Sequence, residues 1–114
     1  MEAESTRQQK VARQVLKDLS EIFRERGMAA FNGALISVTS VRVTPDLASA
    51  KVRLSIFPSE KASAVLGMVE AASRSIRGEL GRRVSKQLRI VPELTYFIDD
   101  SLDYAGRIDS LLKK

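Results

Sequence analysis

Asp99, Asp100 and Asp103 bring three carboxylates within five positions of one another near one end of this 114-residue chain. Clustered carboxylates can hold magnesium for nuclease chemistry. Two adjacent aspartates ahead of Ser101 read better, however, as a strand-end turn and helix cap, where carboxylates meet the unpaired N–H groups of a helix N-terminus. No other catalytic constellation is on offer. The chain contains neither His nor Cys, which removes the commonest general base and metal ligand, thiol nucleophiles, disulfides and iron–sulfur ligation. It also lacks a phosphate-binding loop of the Walker type. We therefore expect no enzyme activity, no cofactor and no metal.

The chemistry that remains is that of cations. Nineteen Lys and Arg against fourteen Asp and Glu give a net charge of +5. Between Arg74 and Arg89 six bases (Arg74, Arg77, Arg82, Arg83, Lys86, Arg89) meet one acid, Glu79, so this segment carries the whole net charge. A second group, Arg7, Lys10, Arg13 and Lys17, has no acid between its members, whereas residues 93–109 are acidic. One basic and one acidic face follow. A basic face suits a polyanion, because phosphate contacts supply affinity and orientation without reading sequence. Base stacking is the weaker alternative: aromatics are 5% of the chain, and only Phe57 and Phe97 look exposed on strands.

Elements must position these charges. Ser5 followed by Gln8 is a capping box, and Gly27 is a stop after Arg26, bracketing a helix of about six turns. Val11, Ala12, Val15, Leu16, Leu19, Ile22 and Phe23 share one side of that helix and the four cations share the other. Leu35–Val43 reads as a strand in which Ile36 and Val38 point one way and Val41 and Val43 the other, which a bulge near Thr39-Ser40 reconciles. After the Thr44-Pro45-Asp46 turn, Ala50, Val52, Leu54 and Ile56 alternate with polar residues in a half-buried strand that pairs antiparallel with the first.

Helical spacing returns at Val65, Val69, Ala72, Ile76, Leu80, Val84 and Leu88. Steps of four drift around a straight helix, so the stripe requires a bend between about Ala62 and Gln87. Ala71-Ala72-Ser73 and Gly78-Glu79-Leu80-Gly81 are the two candidate sites. Leu88–Asp99 reads as a third strand entered through Pro92, with Leu94, Tyr96 and Ile98 on one face. A last short helix would pack Tyr104, Ile108 and Leu111 inward.

The order α-β-β-α-(kink)-α-β-α predicts an α+β, KH-like (type II-like) two-layer domain: a three-stranded sheet with helices on one face. The domain spans residues 1–114, with 1–4 disordered. KH domains grip a nucleic-acid backbone at a Gly-x-x-Gly turn between the two angled helices. Gly78-Glu79-Leu80-Gly81 has the spacing, but Glu79 would face phosphates and Leu80 is needed by the apolar stripe, so two helical glycines are the better reading.

The segment Val41-Arg42-Val43-Thr44-Pro45-Asp46-Leu47-Ala48-Ser49-Ala50-Lys51-Val52 resembles the strand, Asp-Leu turn and Ala-Lys-Val strand of bacterial ribosome-binding factor A. Arg7 with Gln9-Lys10-Val11, Ile76-Arg77, and Leu88-Arg89-Ile90-Val91-Pro92-Glu93-Leu94 with Asp99 and Ser101 are similar to further family segments, in order from about Arg7 to Leu112. The resemblance implies a KH-like fold in which an interrupted helix with an Ala-x-Gly kink replaces the Gly-x-x-Gly loop. Here Ala72-Ser73 is followed by Arg74 where the family has glycine, so Ala72, Ser73, Arg74 and Gly78 are the kink candidates.

The same resemblance implies a non-catalytic factor that binds the free small (30S) ribosomal subunit and assists late maturation and 5′-end processing of 16S rRNA, with most importance in the cold. The expected RNA-binding residues are Arg7, Lys10, Arg13, Lys17, Arg74, Arg77, Arg82, Arg83, Lys86 and Arg89. The alternatives are a general RNA- or polyanion-binding KH-like adaptor and, behind it, the carboxylate-dependent nuclease. The start Met1-Glu2-Ala3-Glu4-Ser5 carries acid where a secretory signal needs base, and no apolar run reaches the roughly 20 residues that span a bilayer. A cytoplasmic monomer with no membrane or small-molecule partner is the expectation.

Overall fold

The first helix begins where its capping box sets it. In the computed structural model, which describes residues 5–84 and 91–99, the Gln8 N–H donates to Ser5 Oγ at 3.1 Å and the Ser5 N–H to Gln8 Oε1 at 2.9 Å. Helix α1 runs Thr6–Arg26 and stops at Gly27, whose φ of 79° is a conformation side chains resist. Its buried face carries Val11, Ala12, Val15, Leu19, Ile22 and Phe23, as the spacing predicts. Leu16 is only half-buried. Two polar residues are buried beside the apolar ones: Gln8 Nε2 donates to the Val43 carbonyl at 2.9 Å, and Asp18 accepts from Gln14 Nε2 at 2.6 Å. These partners offset the cost of burial; Gln14 and Asp18 are a local i,i+4 pair, whereas the Gln8–Val43 contact joins residues 35 apart.

After a 3-10 turn, Met28–Phe31, strands β1 (Leu35–Val43) and β2 (Ser49–Phe57) pair antiparallel. Register runs Val38 to Leu54 and then Ser40 to Arg53, leaving Thr39 as the extra residue of a bulge. That single insertion puts Ile36, Val38, Val41 and Val43 against the same core. The Thr39 hydroxyl donates to Asp99 Oδ2 at 2.7 Å. In the connecting turn the Thr44 hydroxyl donates to Asp46 Oδ1 at 2.6 Å, and the same oxygen accepts from the Ala48 N–H at 3.0 Å.

A second 3-10 turn, Ser59–Lys61, leads into α2 (Ala62–Ala71) and α3 (Ser73–Val84). The break between them is at Ala72, with φ −89° and ψ 2°, whose N–H is shared by the Met68 and Val69 carbonyls while its own carbonyl starts α3 by accepting from Ile76. Gly78 is therefore not a kink: it lies in the middle of α3, and Gly78-Glu79-Leu80-Gly81 is helix and not a phosphate-gripping loop. One break suffices because it returns the drifting stripe to the core, and Val65, Val69, Ile76, Leu80 and Val84 are all fully buried. Full burial of such side chains contributes roughly 1.5–3 kcal/mol each.

The crossover formed by α2 and α3 returns the chain to β3, Glu93–Ile98, which lies parallel to β2 and gives the sheet order β1-β2-β3. The strand starts after the buried Pro92 and is shorter than the Leu88–Asp99 reading; residues 88–90 lie outside the described residues. So do residues 1–4 and the short helix read from Tyr104, Ile108 and Leu111. Leu94 and Tyr96 face the core, and Ile98 is half-buried. The helices cover one face of the sheet and leave Lys51, Arg53, Phe57 and Phe97 exposed on the other, a two-layer α+β, KH-like arrangement. Among the described residues no helix is long and apolar enough to cross a membrane.

Candidate nucleic-acid interface

Helix α1 carries its cations on the side opposite the core. Arg7, Lys10, Arg13 and Lys17 are all exposed, and none forms an ion pair within the described residues. Their spacing of three or four places each within one turn of the next, where like charges cost a helix a few tenths of a kcal/mol per pair. A phosphate backbone laid along this side relieves that repulsion.

The basic segment of α3 is less uniform than its composition. Arg83 Nη1 donates to Glu21 Oε2 at 3.0 Å and Nη2 pairs with Glu25, so two carboxylates of α1 neutralise this guanidinium. Near the other end of the contact, Arg26 Nη2 reaches Glu79 Oε1 at 2.7 Å and Ser75 Oγ at 2.9 Å. These pairings run α1 and α3 antiparallel and point the cationic half of α1 toward the C-terminal end of α3. Arg77 is also engaged: its Nε donates to the Pro92 carbonyl at 3.2 Å and its Nη2 to that of Val91 at 2.7 Å, holding the chain that enters β3.

Arg74 and Arg82 are exposed. Arg74 sits in an open groove lined by Ser73, Arg77 and Gly78 of α3 and by Val91, Glu93 and Leu94. Gly81 lets α3 approach that wall closely, since a Cβ on it would stand 3.3 Å from Val91 Cγ2. Beneath the helix break lies Tyr96, whose buried hydroxyl forms no hydrogen bond of ordinary geometry. Burial pushes its pKa up to about 12, against the opposing influence of the nearby Ser73 hydroxyl and Arg26 guanidinium. Asp46, in the β1–β2 turn, is held below its usual range first by the Thr44 hydroxyl and then by the Ala48 N–H.

Of the ten cations singled out by sequence, the structure therefore displays the α1 row, Arg74 and Arg82 outward. It turns Arg83 and Arg77 toward protein partners, while Lys86 and Arg89 lie outside the described residues. Asp99 accepts from Thr39, and Asp100 and Asp103 also lie outside them. Sequence reasoning passed over Arg42, Lys51 and Arg53, exposed on the uncovered face of the sheet, although strand alternation marks all three as outward.

A family model described as ribosome-binding factor A matches residues 7–112. The chain belongs to the ribosome-binding factor A family. It is 43% identical over 111 residues to ribosome-binding factor A of Cytophaga hutchinsonii, covering 97% of this chain and 84% of that one. With the Flavobacterium johnsoniae ribosome-binding factor A the identity is 46% over 112 residues, covering 96% and 85%. The crystal structure of ribosome-binding factor A from Thermus thermophilus superposes with a TM-score of 0.67 at 23% identity, over 80% of this chain and 94% of that one. A homology model of the ribosome-binding factor A of the same organism, fitted into the cryo-EM map of a 30S complex, gives a TM-score of 0.62 at 24% identity over 78% and 91%. The fold is thus that of ribosome-binding factor A, here with its helix break at Ala72.

Proposed function

We propose that this chain is a ribosome-binding factor that engages the free small (30S) subunit and assists late maturation and 5′-end processing of 16S rRNA, without catalysis of its own. The observation that carries the reading is the exposed row Arg7, Lys10, Arg13 and Lys17 with Arg74 in its groove, on a chain of the ribosome-binding factor A family. A relative seen in a 30S complex supports the choice of particle. The binding energy is applied to RNA shape: preferring one arrangement of the immature RNA over another shifts its population, and release follows when maturation removes the preferred arrangement. The reading carries with it a cytoplasmic monomer that matters most in the cold, when misfolded RNA is slowest to rearrange.

Co-sedimentation with purified small subunits, large subunits and joined ribosomes across a salt series tests it. Lys10, Arg13, Lys17 and Arg74 changed together to Gln provide the charge control. Retention by free small subunits alone, lost in the variant, is the expected result. Equal retention by every particle would reduce the basic face to a general polyanion contact, and no retention at low salt would reject the function.

A further inference from the structure

The uncovered face of the sheet carries a pattern that a merely solvated surface does not need. Among its outward residues, Phe57 is 70% and Phe97 41% exposed. Register places Arg53 of β2 beside Phe97 of β3, and Arg42 of β1 directly opposite Lys51. Opposed like charges on a sheet are unfavourable, and an exposed phenyl ring forgoes burial, so both features cost the isolated protein stability. Among the described residues, three cations stand against two carboxylates, Glu93 at the start of β3 and Asp99, held by Thr39 just past its end, which leaves the surface net positive.

We infer that this face is a second RNA contact, taking a single-stranded segment with a base stacked on Phe97 and its phosphates along Arg42, Lys51 and Arg53. Stacking requires a free base face, which paired RNA offers only at its ends, so the ligand is single-stranded. With strands about 4.8 Å apart, the register sets Phe97 on the strand next to Arg53, so the base and phosphate of one nucleotide can reach both. The surface lies on the opposite side of the sheet from α1 and α3, so one molecule can hold folded RNA on its helical layer and an unpaired strand on the other, each contact raising the effective concentration of the second. The inference rests on the RNA-binding reading for the identity of the ligand, not for the location of the site.

The test uses the full chain and fluorescently labelled octauridine RNA, with a short RNA hairpin as the paired control, in anisotropy titrations over a salt series. Phe97→Leu should weaken octauridine binding roughly tenfold while leaving the salt slope unchanged. Changing Arg42, Lys51 and Arg53 together to Gln should lower that slope by about 2, at about 0.7 per phosphate on a single strand. Changing Lys10, Arg13 and Lys17 to Gln should leave octauridine binding intact and weaken the hairpin. Thermal melts confirm that each variant is folded; the changes are all at exposed positions. The inference is overturned if octauridine does not bind, if its binding follows the α1 variant, or if poly-glutamate competes as well as RNA, which would assign the face to an acidic protein. Retention by small subunits is read separately, so the sheet contact can fail with the proposed function standing, and the reverse.

Discussion

Arg83 of α3 lies 3.0 Å from Glu21 of α1, and Glu25, one turn farther along the same helix, takes its second Nη. A residue that belongs by composition to the basic segment is by geometry a clasp between two helices. Arg83→Gln should therefore act on stability more than on RNA. It leaves two like charges one turn apart on α1, and with side chains partly open to water the loss is about 1 kcal/mol. Urea unfolding reads that loss, while the salt slope of RNA binding stays near the wild-type value. Arg74→Gln should do the opposite, preserving stability and lowering the slope by about 0.7–0.9. Equal effects of the two substitutions on binding would show that the clasp opens on RNA.

Gly78 supplies a second contrast. It sits in mid-α3, and the nearest atom to an added Cβ is Arg82 Nη1 at 3.9 Å. Gly78→Ala should stabilise the protein by about 1 kcal/mol through helix propensity alone, with RNA binding retained. Gly81→Ala should gain less, because its Cβ presses on Val91. Thermal melts of both variants decide the order, and loss of binding in Gly78→Ala would mean that a backbone approaches α3 there.

The β1–β2 turn predicts a pH effect. Thr44 and Ala48 favour the ionised Asp46, so its folded pKa lies below the unfolded one. The stabilisation is present above the unfolded pKa and disappears as pH falls through the folded value. Carbon-13 NMR titration should find Asp46 below the usual carboxylate range, and Thr44→Val should return it toward that range. An Asp46 titration unmoved by Thr44→Val would assign the shift to the backbone alone.

Tyr96 predicts an effect at the other extreme. Its folded pKa is raised to about 12 from 10, so the neutral phenol is favoured in the fold, and stability falls as pH rises from about 10 to 12. Tyr96→Phe should remove that part of the alkaline loss. At neutral pH it should be neutral or slightly stabilising, since the hydroxyl has no hydrogen bond of ordinary geometry to lose. Unfolding midpoints of the two proteins across that pH range provide the comparison, and a marked loss of stability at pH 7 would reveal a partner for the hydroxyl.

By itself the sequence determined whatever depends on neighbours a few positions apart. Ser5, Gln8 and Gly27 bracket α1; the side of that helix bearing Arg7, Lys10, Arg13 and Lys17 follows from its 3.6-residue period; and the opposed alternation around Thr39 requires a bulge. A four-residue step likewise demands a break somewhere before Gln87. Tertiary structure alone decided where that break lies, because Ala72 and Gly78 are both locally permissive and only the fit of Val65, Val69, Ile76, Leu80 and Val84 to one core distinguishes them. It alone paired Arg83 with Glu21 and Glu25, turned Arg77 onto the chain before β3, and buried Asp18. A charge's sign is local, but its partner is set by which helix packs beside it, and here the partners stand more than fifty residues apart. The exposure of Phe97 beside Arg53 belongs to the same class: alternation marks each as outward, and only the parallel register of β3 on an uncovered sheet brings them together.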